Sequence, residues 1–134
     1  MDKDELKNFG MKYAEAWSSQ KAWDVTSFFS ESGSLSVNSN PPAIGRAAIS
    51  VIADGFMTAF PDMTVSMDKL TETSDGIEFH WTLRGTNTGP EGTGNKVEIS
   101  GKEIWEFDND GLIKNSRGSY DAEEYNRQLR DGVK

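Results

Sequence analysis

The sequence contains no cysteine and only one histidine, and each absence removes a class of chemistry. Without cysteine there are no disulfides, no thiol nucleophiles and no cysteine metal ligands. A single histidine, His80, excludes a metal centre built on several histidine ligands. We therefore expect no bound metal.

Basic residues and long apolar runs are also scarce. Lys and Arg total 14 against 22 Asp and Glu, which gives a net charge of −8. Such a chain repels polyanions, and no apolar run approaches the roughly 18 residues of a membrane span. The start, MDKDELKNFG, has neither the basic nor the apolar region of a secretory signal. The sequence predicts a soluble cytoplasmic protein that binds neither nucleic acid nor membranes.

Two glycine-containing segments do not fit the cofactor or ion loops that they superficially resemble. The segment 89–96 has the spacing of neither a phosphate loop nor a dinucleotide-binding fingerprint. The segment 108–111 is too short for a calcium loop and reads as a tight turn. We expect no cofactor.

The length of 134 residues corresponds to one domain, and no repeat or low-complexity segment divides it. Apolar residues spaced by three and four from Leu6 to Trp17 predict a first helix. A shorter apolar set, Trp23, Phe28 and Phe29, predicts a second helix packed on the first. A short strand over 34–38 and a third helix over 46–60 follow. We predict a single domain over 1–134.

The second half of the chain, from Met63 to Asp121, alternates as four antiparallel strands do. We predict a long hairpin loop over 85–95 and a bulge at Ser100-Gly101 that changes the parity of the apolar residues. A short helix over 122–130 ends the chain. Helices on one face of a curved antiparallel sheet are the expected packing, so the predicted fold class is α+β.

On the last predicted strand, several polar residues lie on the same face as an apolar residue. Asn115, Arg117 and Asp121 share the parity of Ile113, so a regular strand would aim them at the interior. Burying them is costly unless they pair or line a wet pocket. An acid there could serve as a general acid or base, since burial raises a carboxyl pKa. The alternative is a strand that tips into solvent, with an Arg117–Asp121 ion pair at the rim.

Several other residues allow two readings. His80 is either a half-exposed residue on the outer face of its strand or, if a bulge turns it inward, a proton carrier. Tyr13 is either a core residue or a hydroxyl donor in a pocket. The four tryptophans suit a core, but buried indole N–H groups need partners, which a ligand cavity can supply.

These residues, together with several short motifs, resemble the SnoaL-like polyketide (ester) cyclase branch of the nuclear transport factor 2-like superfamily. The resemblance covers nearly the whole chain and rests on the order and spacing of the motifs. The motifs are Gly45-Arg46, Phe60-Pro61-Asp62, the run from His80 to Gly89, Gly94, Gly101, Asp110 to Ile113, Arg117 to Asp121, and Gln128-Leu129.

The resemblance implies a cone-shaped sheet wrapped around the helices, with a hydrophobic pocket at one end and a homodimer formed through the sheet. It also implies a cofactor-free intramolecular aldol condensation in which a carboxylate moves the proton next to a carbonyl. Asp121 matches the family's catalytic aspartate. Asn87 stands where cyclase-like members usually have a histidine, and an amide can donate a hydrogen bond but cannot relay a proton.

We therefore predict acid/base proton transfer on a small hydrophobic carbonyl compound. Asp121 is the predicted base and acid, Arg117 orients it, Asn87 and Tyr13 donate to the carbonyl oxygen, and His80 is the candidate substitute for the family histidine. The alternatives are a noncatalytic module that binds a hydrophobic ligand or dimerises, and an isomerase similar to ketosteroid isomerase, for which no inner acid is evident. The predicted substrate-binding residues are Tyr13, Trp17, Phe56, Phe60, Trp81, Trp105 and Asn115.

Overall fold

A computed structural model describes residues 1–133, and Lys134, the last residue of the predicted domain, lies outside them. The predicted α+β fold class is confirmed, and the element order differs from the predicted one by an additional short strand, β2. The elements are α1 (Lys3–Trp17), α2 (Ala22–Thr26), β1 (Phe29–Val37), β2 (Ala43–Ile44), α3 (Arg46–Ala59), β3 (Thr64–Thr73), β4 (Gly76–Thr86), β5 (Lys96–Phe107), β6 (Ile113–Tyr120) and α4 (Ala122–Asp131). None of the helices in residues 1–133 has the length and apolar character needed to cross a bilayer.

The strands form one curved, open sheet in the order β2-β1-β6-β5-β4-β3. All neighbours are antiparallel except β1 and β6, which run parallel. The prediction of a wholly antiparallel sheet is therefore wrong at β1. Strands joined by a short hairpin must be antiparallel, but most of the chain separates β1 from β6, so no turn fixes their direction.

The first helix begins and packs as its sequence predicts. Asp2 and Glu5 form a capping box at its N-terminus. Its apolar stripe, which includes Leu6, Tyr13 and Trp17, is buried, and the helix packs on β3.

The second helix is shorter than predicted. It ends at Thr26, and Phe29 instead begins β1, where it pairs with Ile113. Trp23 is not buried against the first helix, since 72% of its surface is exposed. Strand pairing has thus overridden the helical spacing of these apolar residues.

Register shifts occur in three strand pairs where the sequence gives no clear sign, and not where a bulge was predicted. The β4–β5 register runs without interruption from Ile77–Trp105 to Thr86–Lys96, so the predicted bulge at Ser100-Gly101 is wrong. The β5–β6 register instead shifts between Ile113 and Asn115. Further shifts lie on β3, between Met67 and Lys69, and on β1, between Phe29 and Ser34. A bulge reverses which side chains face inward, so these positions determine the interior.

The core lies between the concave face of the sheet and the helices. One end is filled by aromatic rings that cluster around Tyr13, and Phe79 stacks on Trp105 with ring centroids 4.8 Å apart. The rings around Tyr13 belong to Trp17, Phe28, Phe29, Phe79 and Trp105. The opposite end is incompletely filled and contains the cavity described next.

Candidate active site

A mainly apolar cavity opens between the concave face of the sheet and helices α1, α3 and α4. The space that the centre of a water molecule can reach is about 60 Å³, and the empty space including the open mouth is about 620 Å³. A cavity of about 150 Å³ binds benzene, so the enclosed part admits only the small end of a ligand. The lining residues are Trp17, Leu35, Val37, Ile52, Phe56, Val65, Phe79, Trp81, Leu83, Ile99, Glu103, Gly118, Ser119, Tyr120 and Tyr125.

Glu103 is the one charged side chain among the described residues that line the cavity. Its Oε1 atom accepts three hydrogen bonds, and only 7% of the residue is exposed. The hydroxyl of Tyr13 donates at 2.9 Å, the indole N–H of Trp105 at 3.0 Å and the hydroxyl of Ser116 at 2.7 Å. The other oxygen, Oε2, has no hydrogen-bond partner within residues 1–133. One carboxyl oxygen is thus fixed and the other is available.

Each of these three donors reaches Glu103 from a different part of the chain. Tyr13 comes from the middle of α1, and Trp105 lies two positions along β5 on the same face as Glu103. Ser116 is fully buried and faces inward because the bulge at Lys114 lets both Ile113 and Ser116 turn to the core.

Burial raises the pKa of Glu103, and the hydrogen bonds from Ser116, Trp105 and Tyr13 oppose that shift. None of the ion pairs in the described chain involves this carboxyl. Burial, with the charge of Glu103 next, also raises the pKa of Tyr13 well above its ordinary value. The tyrosine therefore remains a protonated donor, and the glutamate holds a proton more readily than an ordinary glutamate does, as suits a group that must both take and return one. Within residues 1–133, no three His, Asp or Glu side chains are grouped to hold a metal.

The sequence analysis missed Glu103, although a signal was present. Val97, Ile99, Gly101, Glu103 and Trp105 share one parity, and all face the interior along an unbroken β5. The bulge wrongly predicted at Ser100-Gly101 moved Glu103 to the outside. If the alternation had been continued through Gly101 without a bulge, it would have placed Glu103 on the inner face, between Gly101 and Trp105.

Asp121 does not face the cavity. Its side chain is exposed and caps α4 by accepting a hydrogen bond from the Glu124 N–H at 3.1 Å. The prediction that Asp121 shares the interior with Ile113 is wrong, because the bulge at Lys114 reverses the parity of the strand. The physical basis for its predicted role as acid and base is therefore absent.

The same reversal affects Arg117 and Asn115. Arg117 is exposed and forms no ion pair with Asp121 in the described chain, so it neither orients that acid nor closes the predicted rim pair. Asn115 does not line the cavity, and its Oδ1 accepts a hydrogen bond from the Ser34 hydroxyl on β1.

His80 lies on the outer face of β4, as the first of its two readings predicts. Its Nε2 is 3.1 Å from Glu78 Oε1, and Lys102 lies 3.8 Å from the other oxygen of that glutamate. The cavity lies on the opposite face, so His80 does not replace the family histidine there. The predicted homodimer through the sheet stays a prediction.

Asn87 is buried, but its side chain forms hydrogen bonds that hold the loop after β4, and it does not line the cavity. Its amide donates to the Ala59 carbonyl at 3.1 Å and accepts from the Thr93 N–H at 2.8 Å. Both amide groups are thus committed to holding the loop after β4 against α3. The prediction that Asn87 donates to a substrate carbonyl is wrong.

Of the predicted aromatic wall residues, Trp17, Phe56 and Trp81 line the cavity, and their contact with a substrate stays a prediction. Phe60 and Trp105 are fully buried core residues outside the lining, and the Tyr13 hydroxyl donates its hydrogen bond to Glu103. The structure adds Tyr120 and Tyr125, which the sequence analysis did not single out as wall residues.

Five of the lining rings form a continuous series that we call the aromatic collar. Successive centroids are 5.5–6.4 Å apart and successive rings are inclined by 63–72°. In order around the cavity the rings are Trp17, Phe56, Tyr125, Tyr120 and Trp81. The collar faces a carboxyl group across a space without any basic side chain among its described lining residues.

Comparison with solved structures supports this architecture. AclR from Streptomyces galilaeus, a candidate hydroxylase, superimposes with a TM-score of 0.80 at 17% identity, over 96% of this chain and 83% of its own. A candidate SnoaL-like polyketide cyclase from Jannaschia sp. CCS1 gives 0.78 at 16% identity, over 94% and 91%. A protein of ketosteroid isomerase-like fold from Catenulispora acidiphila, solved with trimethylamine, gives 0.71 at 14% identity, over 82% of each chain. At these identities the likeness establishes the fold alone.

No curated protein matches the sequence. The family model for SnoaL-like polyketide cyclases matches residues 9–129, which include every element from α1 to α4 in whole or in part. This chain therefore belongs to the SnoaL-like polyketide cyclase family.

Proposed function

We propose that this protein catalyses proton transfer next to the carbonyl group of a small hydrophobic compound, with Glu103 as the general base and acid. The observation that carries the proposal is a buried carboxyl at the cavity wall with one oxygen fixed by three donors and the other free. Membership of a cyclase family agrees with this chemistry.

The reaction needs no oxidant, reductant or cofactor. Oε2 of ionised Glu103 takes a proton from the carbon next to the carbonyl, and the electron pair of that C–H bond forms an enolate. In a cyclisation the enolate carbon attacks a second carbonyl of the same molecule, and Glu103 returns its proton to the new alkoxide. In an isomerisation Glu103 returns the proton to another carbon, and Glu103 is then the inner acid that the sequence analysis did not find for this alternative.

Size and polarity indicate how a substrate would bind. The enclosed space of about 60 Å³ suits a carbonyl group and its neighbouring carbon rather than a whole ring. The remainder of the molecule would lie in the mouth against the aromatic collar. Such a mode favours small or slender carbonyl compounds.

The test is deuterium exchange next to the carbonyl in D₂O, followed by NMR, for a series of ketones from acetone to cyclohexanone. Glu103→Gln keeps an oxygen for the three donors but cannot accept the proton, so we expect exchange to fall by about 10²–10⁴-fold. Asp121→Asn is the matched control, because asparagine caps a helix as well as aspartate does. Full activity in Glu103→Gln, or a loss confined to Asp121→Asn, would overturn the proposal and favour the role that the family resemblance implies for Asp121.

A second candidate function is noncatalytic binding of a small organic cation, which the aromatic collar specifically favours. Aromatic faces attract alkylammonium groups, and an ionised Glu103 would supply the counter-charge. The Catenulispora acidiphila protein solved with trimethylamine has the same fold.

Choline and its neutral isostere 3,3-dimethylbutan-1-ol form the matched probe pair for this second function. If it is correct, calorimetry will show choline binding at least about tenfold more tightly, equivalent to about 1.4 kcal/mol, and Glu103→Gln will lose that preference. Equal binding of the two probes, or tighter binding of the alcohol, would exclude it.

A further inference from the structure

One side-chain donor in the cavity wall is shielded from solvent and lacks a hydrogen-bond partner. Within residues 1–133, the indole Nε1 of Trp17 is the only side-chain nitrogen or oxygen that is both out of contact with solvent and without a hydrogen bond. Leaving such a donor unsatisfied costs stability of the folded state. Native proteins seldom retain that cost unless a ligand, a water or a functional role accounts for the group.

Trp17 and Glu103 approach the same end of the cavity. Both line it, and both lie close to the Tyr13 hydroxyl. That hydroxyl donates to Glu103 at 2.9 Å, while the Trp17 indole is close enough to oppose the rise in the Tyr13 pKa that burial and Glu103 cause. The indole nevertheless makes no hydrogen bond of normal geometry with Tyr13. A free donor thus lies close to the tyrosine hydroxyl that holds the carboxyl group of Glu103.

The other donors near Glu103 are already committed. Tyr13, Trp105 and Ser116 all donate to Oε1. The hydroxyls of Tyr120 and Tyr125 belong to half-buried residues of the collar, where water can satisfy them. The indole of Trp17 is therefore the donor left for a ligand in the enclosed part of the cavity.

We infer that the Trp17 indole N–H binds the carbonyl oxygen of the substrate and stabilises the enolate formed from it. The inference rests on the proposed function, in which Glu103 Oε2 removes the neighbouring proton. As that C–H bond breaks, negative charge moves onto the oxygen. A hydrogen bond donated to this oxygen is therefore stronger in the transition state than in the ground state. The substrate class is then a ketone, aldehyde or ester that enters carbonyl end first.

Activity measurements separate this role from simple wall packing. Trp17→Phe removes the N–H, and Trp81→Phe is the matched control because it removes another indole from the same cavity wall. We expect Trp17→Phe to lower the exchange rate by about 10²–10³-fold, mainly in kcat, as for the loss of one oxyanion donor. Trp81→Phe should mainly raise KM, because Trp81 belongs to the collar that holds the rest of the substrate, and should lower kcat much less than Trp17→Phe does. Equal losses of kcat in both variants would overturn the inference while the proposed function stands.

An NMR measurement tests the inference without turnover. Phenol serves as an enolate analogue added to the ¹⁵N-labelled full chain, and Trp17→Phe assigns its peak among the four indole resonances. We expect the Trp17 indole proton to move downfield more than that of Trp81. No selective shift would overturn the inference. If wild type exchanges no proton of any ketone, the proposed function fails, and the phenol shift still decides whether Trp17 binds an oxygen ligand.

Discussion

Replacing Ser116 with alanine should raise the pKa of Glu103, because Ser116 donates the shortest of the three hydrogen bonds to that carboxyl. The distance is 2.7 Å, and both residues are buried. Water therefore cannot replace the lost donor at little cost. Deleting the hydroxyl removes a bond that favours the ionised form, and burial then acts on the carboxyl with less opposition.

The size of the shift follows from the difference between a charged and a neutral hydrogen bond. A hydrogen bond to a charged group contributes about 1.5–3 kcal/mol, and a neutral one about 0.5–1.5 kcal/mol. Removing the Ser116 hydroxyl should thus disfavour ionisation by about 1–1.5 kcal/mol, which is close to one pKa unit at about 1.4 kcal/mol per unit.

The same change makes stability depend more strongly on pH. The folded protein holds the proton of Glu103 more tightly than the unfolded chain does, so this group's contribution is fully present below an ordinary glutamate pKa of about 4.3. It is lost as pH rises through the folded pKa. In Ser116→Ala the folded-state pKa of Glu103 is about one unit higher than in wild type, so stability continues to fall over about one more pH unit. The variant is therefore destabilised, relative to wild type, more at pH 9 than at pH 5.

A ¹³C NMR titration of the glutamate carboxyls measures the pKa directly, and urea unfolding at pH 5 and pH 9 measures the stability difference. Ser119→Ala is the control, because that serine is exposed and makes no hydrogen bond to Glu103. A Glu103 pKa that is the same in Ser116→Ala and wild type would refute the reasoning. So would a stability loss that does not change between the two pH values.

Two further predictions concern structure rather than chemistry. Asn87→Ala loses its hydrogen bonds to the Ala59 carbonyl and from the Thr93 amide, so urea unfolding should show a loss of about 1–3 kcal/mol, whereas ketone exchange by the folded fraction should persist. Gly101→Ala would place a methyl group 2.6 Å from the Trp81 ring, so overpacking should cost about 1–3 kcal/mol and lower the Tm. An unchanged urea midpoint in the first variant, or an unchanged Tm in the second, would contradict these accounts.

The sequence by itself determined the elements and the family. Apolar spacing placed α3 to within one residue and the end of α1 at Trp17, and turn signals such as Asn109-Asp110-Gly111 separated the strands. These features depend on contacts between residues close in the chain, which local propensity and periodicity capture. The outer position of His80 and the wall positions of Trp17, Phe56 and Trp81 also agree with the sequence patterns.

Only the tertiary structure decided which carboxyl faces the cavity. Side chains alternate along a strand, so one bulge exchanges the inside and the outside for every residue beyond it. The bulge at Lys114 turned Asp121 out and Ser116 in, and the absence of a bulge at Gly101 kept Glu103 inside. Bulges are set by how a strand pairs with distant neighbours, in this case β5 with β4 and β6. The unpaired indole of Trp17 likewise became visible only when α1 was packed against the sheet, since its missing partner is a property of the whole interior.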